Sequence, residues 1–352
     1  MDTNRSPTNP APAVFTGQAG EYFRIWIVNM ALTILTLGIY SAWATVRKRR
    51  YFYTHTSLAG GSFDFHADPK AILFGRVIAV ALLALYLGSG YIHPFAPPLV
   101  VLLVLALVPW LVVRSRIFRL RNTSYRGIRF NFLPNYKEAF KAYYGGALLT
   151  VVTLGLGAAT AVYWRNRFAV RNSAFGKTPF TFGGQHGEFV AIFWKSIGLI
   201  ALVVFGWLTL SFVLPIIGPS MPDGEEGGGS QILGFITVIP LFLLYAAIGV
   251  YYQVCLQNHV WNTTGLGENS FQSILQVGDM IFIYLTNLLA IVGSVGMLTP
   301  WAQIRLARYR ARHMYVQLSE NWQEFLADTR PVGSALGDEI GEAFDVDVSL
   351  GF

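Results

Sequence analysis

Charge is what this 352-residue chain has least of. Only 13% of its residues are Asp, Glu, Lys or Arg and 53% are hydrophobic, whereas an ordinary soluble domain carries about 25% charged residues. Lys and Arg are missing altogether from residues 77–113 and 196–304. A single cysteine, Cys255, excludes an internal disulfide and any multi-cysteine metal site. Residues 1–14, MDTNRSPTNPAPAV, have no apolar h-region, so they read as a disordered Pro-rich leader and not as a cleaved signal peptide. There is no P-loop, no GxGxxG after a strand and no Gly-x-Ser-x-Gly elbow, which disfavours soluble-type nucleotide or hydrolase chemistry. No catalytic residue and no cofactor are expected. His55 and His313 lack any ligand spacing such as HExxH, so no metal site is expected either.

What the chain does have is apolar runs of the roughly 20 residues needed to cross a bilayer as a helix, and a mean hydropathy of +0.46. The formal net charge of +7 is concentrated at 47–50, 114–129, 165–177 and 305–312. Clusters flanking apolar runs are explained by membrane orientation more simply than by nucleic-acid binding. Lipid is the expected solvent.

One stretch organises the rest. Asn29–His55 is an apolar run with a Thr36-Leu37-Gly38 break that ends in Arg47-Lys48-Arg49-Arg50-Tyr51. An offset of 258 carries Asn29 onto Asn287, Gly38 onto Gly296, Trp43 onto Trp301, Arg47 onto Arg305, Arg50 onto Arg308 and His55 onto His313. An offset of 117 carries Phe15 onto Phe132, Glu21 onto Glu138, Thr36-Leu37-Gly38 onto Thr153-Leu154-Gly155, and Phe63 and Phe65 onto Phe180 and Phe182. Agreement on this scale marks an internal repeat. The plan reads as a short element (A), two long spans (B), then A, B and a final A. The divisions are a leader at 1–14, membrane repeats at 15–131 and 132–274, a partial repeat at 275–318 and an acidic tail at 319–352. All of the membrane part is one integral domain.

If A crosses once, there are seven spans and the second copy runs opposite to the first. If A is a helical hairpin turning at Thr-Leu-Gly, every basic cluster falls on one face, and the far-side loops 89–98 and 215–231 hold no Lys or Arg. Positive-inside counting favours the hairpin. Ile25–Val46, at 22 residues, is right for one span and short for two, and a re-entrant hairpin reconciles the two. The predicted fold class is an all-α polytopic membrane protein. Short Phe-x-Phe β segments on the basic, cytoplasmic side are free to pair between repeats.

Several polar residues are candidates, each with a plainer alternative. Arg76 and Lys195 lie near the starts of the B elements, and a cation inside a span is often functional; the alternative is snorkelling. Glu21, Glu138 and Asp279 are equivalent, with Glu188 similarly placed. They are read either as a proton-coupling or cation-binding ring or as acids at helix N-termini, where the macrodipole favours them by roughly 0.3–1 kcal/mol each. Asn29 and Asn287 line a polar path or hydrogen-bond between helices. The cluster Arg47, Lys48, Arg49, Arg50, Arg305 and Arg308 attracts anionic lipid at about 1 kcal/mol per charge, or simply anchors the interface.

The stretch 29–69, with Phe15-Thr16-Gly17, Glu21-Tyr22-Phe23 and Pro300-Trp301-Ala302, resembles the YjgN-like bacterial inner-membrane proteins, classed as domain of unknown function 898. The resemblance covers about residues 14–326 and implies a multi-pass protein of the bacterial inner membrane. It implies no activity. Pseudo-symmetric repeats with broken helices recur in transporters, so transport or permeation of a small solute or ion is the first functional expectation. The second is a non-catalytic lipid-binding or membrane-organising protein. The expected partners are anionic headgroups on the cytoplasmic face, with both termini cytoplasmic in the hairpin scheme and no nucleic acid.

Overall fold

The computed structural model describes residues 10–217 and 229–320, together with 322, 325 and 326. Most of the predicted leader, the heart of the acidic Gly-rich loop and nearly all of the acidic tail lie outside the described residues. Helices come in antiparallel pairs. The first hairpin is α1 (Ala19–Leu35) and α2 (Ser41–Thr54), and the second is α3 (Pro69–Ile92) and α4 (Ala96–Arg121). In the third, α5 (Tyr136–Phe140) continues through a π-helical turn (Lys141–Gly145) into α6 (Gly146–Val152), which folds back as α7 (Ala158–Arg171). The fourth is α8 (His186–Ile217) and α9 (Gly229–Asn262), and the fifth is α10 (Val277–Gly293) and α11 (Thr299–Arg312).

Ten short strands separate the hairpins: β1 (Ala11–Phe15), β2 (Thr56–Leu58), β3 (Gly61–Phe65), β4 (Thr123–Tyr125), β5 (Ile128–Phe132), β6 (Ser173–Phe175), β7 (Thr178–Phe182), β8 (Thr264–Leu266), β9 (Asn269–Ser273) and β10 (Met314–Gln317). They close into one antiparallel barrel in sequence order, sealed by β1 against β10 at Ala11↔Val316 and Pro12↔Tyr315. Strands of three to five residues would be weak as an open sheet, and closure removes every unpaired edge. Tight turns join four of the strand pairs. Ala59-Gly60 and Arg126-Gly127 take positive φ at both positions, as a type I′ hairpin requires. Gly176 and Gly267 take it at the first position of the other two turns. The fifth hairpin, β10 to β1, is split between the two ends of the barrel chain.

The register repeats around the barrel. Ala13↔Leu58, Phe63↔Tyr125, Phe130↔Phe175, Phe180↔Leu266 and Phe271↔Val316 are all paired. Tyr125, Phe175 and Leu266 are the buried centre of one cluster with Leu58, and the half-buried Phe63, Phe130, Phe180 and Phe271 follow one another around it at 6.4, 6.4 and 6.1 Å between ring centroids. Ala13 takes the fifth corner. Burial holds the Tyr125 phenol above its ordinary pKa, and at the rim of the β-turns Trp322 lies tilted against Tyr125 while Phe325 stacks on Phe175.

Antiparallel closure makes all odd-numbered strands run the same way. All five helical hairpins therefore leave from one rim, and the β-turns and both barrel ends occupy the other. The junctions recur too. The carbonyl closing each second helix accepts a backbone N–H from the residue just after the preceding odd strand, or after Ser273 in the last unit. These bonds are Thr16 to His55 (2.9 Å), His66 to Asn122 (2.8 Å), Leu133 to Asn172 (2.7 Å), Gly183 to Thr263 (2.8 Å) and Ile274 to His313 (3.0 Å). The A and B elements are thus one design at two lengths. Each hairpin packs on its neighbours, and α11 closes the ring against α1.

Length separates the hairpins. α3, α4, α8 and α9 contain stretches long and apolar enough to cross a membrane: Pro69–Ile92, Ala96–Arg121, His186–Val213 and Pro240–Asn262. α3 and α4 rise about 36 and 39 Å, against a hydrocarbon core of about 30 Å. The helices of the first and fifth hairpins have 14 or 17 residues and rise only about 21–26 Å.

The all-α expectation is therefore corrected by the closed ten-stranded barrel. Its strands are too short for period-two alternation to register, and only Phe-x-Phe showed in the sequence. Closure depends on pairing between segments as far apart as Pro12 and Tyr315.

Candidate functional site

The rim where helices meet strands carries most of the predicted polar residues. The second helix of each hairpin descends onto it, and the sequences of α2, α4, α7 and α11 become basic in their last turns. On α2, Arg47, Lys48 and Arg50 are exposed and Arg49 is half-buried. Arg50 Nε donates to the Phe65 carbonyl (3.2 Å), and its repeat mate Arg308 donates to the Gly17 carbonyl (3.0 Å). These two arginines tie helix ends to strand ends. Arg49 lies 5.6 Å above the Phe65 ring.

A second row of arginines sits one turn deeper and stacks on aromatic rings. Arg114 lies 5.7 Å from the Trp110 ring, Arg305 lies 5.3 Å from Trp301 and 5.7 Å from Phe282, and Arg47 lies 5.9 Å from Tyr40. A guanidinium on a ring face gains cation–π attraction while its rim stays wet, the arrangement of an interfacial anchor. Arg114 opens the 114–129 basic cluster seen in the sequence, but its pairing with a ring was not predicted. The signal was present: Trp43–Arg47, Trp110–Arg114 and Trp301–Arg305 repeat one Trp-x-x-x-Arg spacing, which shares a helix face.

Each acid finds its partner within its own hairpin. Glu21 Oε2 lies 3.2 Å from the Tyr51 hydroxyl and 3.7 Å from His55 Nε2, and Asp279 Oδ2 accepts from the Tyr309 hydroxyl (3.1 Å). Glu138 Oε2 accepts from Asn172 Nδ2 (2.7 Å), and Glu188 Oε2 meets His259 Nδ1 at 2.8 Å. Each acid stands in the first turn of its first helix, favoured there by the helix dipole. Each links that turn to the end of the second helix of the same hairpin.

Asn29 and Asn287 are both buried, yet only one is satisfied. Asn287 Oδ1 accepts from Arg305 Nη1 (3.2 Å), and its Nδ2 donates to the Ala302 carbonyl (3.3 Å). Asn29 Oδ1 has no partner among the described residues. Arg76 donates to Ser41 Oγ and to Thr45 Oγ1 (3.0 Å) on the neighbouring hairpin, a cross-brace between α3 and α2. Lys195 is exposed on α8. The structure thus gathers the arginines and acids at one rim and leaves Lys195 apart. No group of three or more His, Cys, Asp or Glu suited to a metal occurs among the described residues.

At the opposite end, the Thr-Leu-Gly breaks are the hairpin tips. Leu37, Leu154 and Val295 adopt left-handed φ of 51–52°, each followed by a glycine of positive φ. The Gly38, Gly155 and Gly296 amides reach back to Thr33, Thr150 and Ile291 carbonyls at 2.7–2.8 Å, closing each helix as a Schellman turn does. The hydroxyls of Thr36, Thr153 and Ser294 then accept the Tyr40, Gly157 and Leu298 amides. These tip amides are satisfied within the turns themselves.

The family described as "Bacterial protein of unknown function (DUF898)" matches residues 10–343. The chain is 26% identical over 366 residues to the inner membrane protein YjgN of Salmonella typhimurium, covering 91% of each. It is 27% identical over 143 residues to that of Escherichia coli O157:H7, covering 40% of this chain and 36% of the relative. No solved structure matches. With a family match over nearly all of its length, and relatives that are inner membrane proteins, the chain belongs to the DUF898 family.

Proposed function

We propose that this protein is a non-catalytic, lipid-binding platform of the inner membrane. Its barrel and both ends face the cytoplasm, and its arginine–aromatic rim engages anionic headgroups. The observation that carries this reading is the pairing of Arg47, Arg114 and Arg305 with aromatic rings at one level of the rim. Charge supports this orientation: the basic clusters stand at the barrel end, while the far-side loop of the second hairpin around His93 holds no Lys or Arg.

Transport draws less support from this geometry. A path along the barrel axis would have to pass the ring Phe63, Phe130, Phe180 and Phe271 and then Trp322 and Phe325. The glycine breaks that suggested discontinuous transporter helices are exposed tips, and the repeats are rotated about an axis through the barrel.

Lipid selectivity in nanodiscs containing a mixture of anionic and neutral lipids tests the proposal. Each Arg→Gln change at 47, 114 and 305 should weaken preference for the anionic lipid by about fivefold at low salt, for about 1 kcal/mol per charge, and less at high salt. Undiminished preference in the triple variant, or solute flux into proteoliposomes, would remove the basis of this reading.

A further inference from the structure

The two hairpin lengths make the molecule unequal in the two leaflets. Because every hairpin leaves the same barrel rim, all five pass through the leaflet next to the barrel. The three short ones stop there. From Ile25, the first residue above the polar base turn, to Leu35 is 11 residues, a rise of about 16 Å, or one leaflet. On the return leg, α2 and α11 run only from Ser41 and Thr299 before meeting Arg47 and Arg305. α3, α4, α8 and α9 continue across.

The tips are built for hydrocarbon. Leu37, Leu154 and Val295 are 95%, 94% and 93% exposed, and Leu35, Val151, Val152 and Val292 beside them are exposed as well. A left-handed helix-ending position ordinarily takes Gly or Asn, and a β-branched residue there is a strained choice. Three apolar residues at three equivalent left-handed positions, beside turn amides that are bonded internally, fit contact with acyl chains and not with water. The barrel also fixes the spacing. Tyr22 donates to Gln303 Oε1 (3.0 Å) and Arg308 to the Gly17 carbonyl, locking the short first and fifth hairpins side by side.

We infer that the protein is a leaflet wedge whose hydrocarbon partner is a bilayer curved so that the barrel-side leaflet is the convex, expanded one. Ten helices occupy that leaflet and four occupy the other. At a helix diameter of 10–12 Å, the six additional helices claim roughly 500–700 Å² more area on the barrel side. A flat bilayer must compress lipid to accommodate this, and a bilayer bent away from the barrel need not. The inference deepens the platform reading but uses the hairpin tips and not the arginines.

Sorting between a giant vesicle and a narrow tube pulled from it, in wholly neutral lipid, tests the wedge apart from headgroup charge. Full-length protein with its barrel on the outside should be enriched several-fold in the tube. The same protein inserted with the barrel inside should be depleted, a comparison that needs no variant. L37D/L154D/V295D, which withdraws the tips from hydrocarbon, should bring the outside-facing enrichment towards one. Equal density in tube and vesicle for both orientations of the wild type overturns the wedge and leaves anionic-lipid selectivity untouched. Enrichment that persists in the triple aspartate variant also overturns it, because the tips then do not carry the effect.

Discussion

Asn287 accepts a hydrogen bond from Arg305 at 3.2 Å across the fifth hairpin, while the sequence-equivalent pair, Asn29 and Arg47, is open. Arg47 lies over Tyr40, and Asn29 Oδ1 is buried without a partner among the described residues. Thr286 stands where the first hairpin has Val28 and takes the same Arg305 nitrogen at 2.6 Å, which holds that guanidinium inward. Asn287→Leu should therefore cost about 0.6–1.7 kcal/mol, the range of polar contacts between membrane helices. Asn29→Leu should be neutral or stabilising, since an unsatisfied buried acceptor is removed. Thermal unfolding of both variants in one detergent decides this, and a larger loss for Asn29→Leu would contradict it.

Closure of the barrel by the chain ends is open to chemical test. Pro12 and Tyr315 are direct partners across β1 and β10, a spacing that a disulfide can bridge. With Cys255 replaced by serine, P12C/Y315C should form an intramolecular bond and migrate faster without reductant. P12C alone should not. Absence of the crosslink under oxidation would mean that the barrel is open at this seam.

The barrel core should behave as a packed interior. Phe130 contacts Phe63, Phe175 and Phe180, so Phe130→Ala should lower stability by about 3–5 kcal/mol. A loss below about 1 kcal/mol would indicate that the ring is not close-packed.

The hairpin tips carry backbone strain of predictable sign. Leu37 has φ of 51°, so Leu37→Gly should stabilise the detergent-solubilised protein by up to about 1–2 kcal/mol. Gly38, with φ of 93°, should lose stability on change to Ala. Melting temperatures that move in the opposite directions would mean that the tip is not the turn described.

Much of this was legible in the sequence, for identifiable reasons. The tips and rim of the first, third and fifth hairpins share residues at fixed offsets, so Gly38, Gly155 and Gly296, and Arg47 with Arg305, surfaced directly. The kinship of the long hairpins with the short ones did not, because α3 and α4 carry extra turns that break any fixed offset. Asn122, at the junction equivalent to His55 and Asn172, lacks the neighbours that would align it. The barrel was glimpsed in Phe63, Phe130 and Phe180, but β1 offers Ala13 in place of the ring, and its partner β10 lies about 300 residues away. Arg76 could be read only as an isolated charge, since its partners Ser41 and Thr45 belong to another hairpin.

In the proposed topology four helical segments cross the membrane and three hairpins return to the side they left. Labelling of single cysteines by a membrane-impermeant reagent in intact cells and in inverted vesicles, with Cys255 replaced by serine, measures this directly. Cysteines at Ala59 and Lys177, in β-turns of successive short hairpins, should both label only from the cytoplasmic side. A cysteine at His93 should label only from outside. Labelling of Lys177 from outside would mean that the A elements each cross once, and would contradict the barrel and every argument built on it.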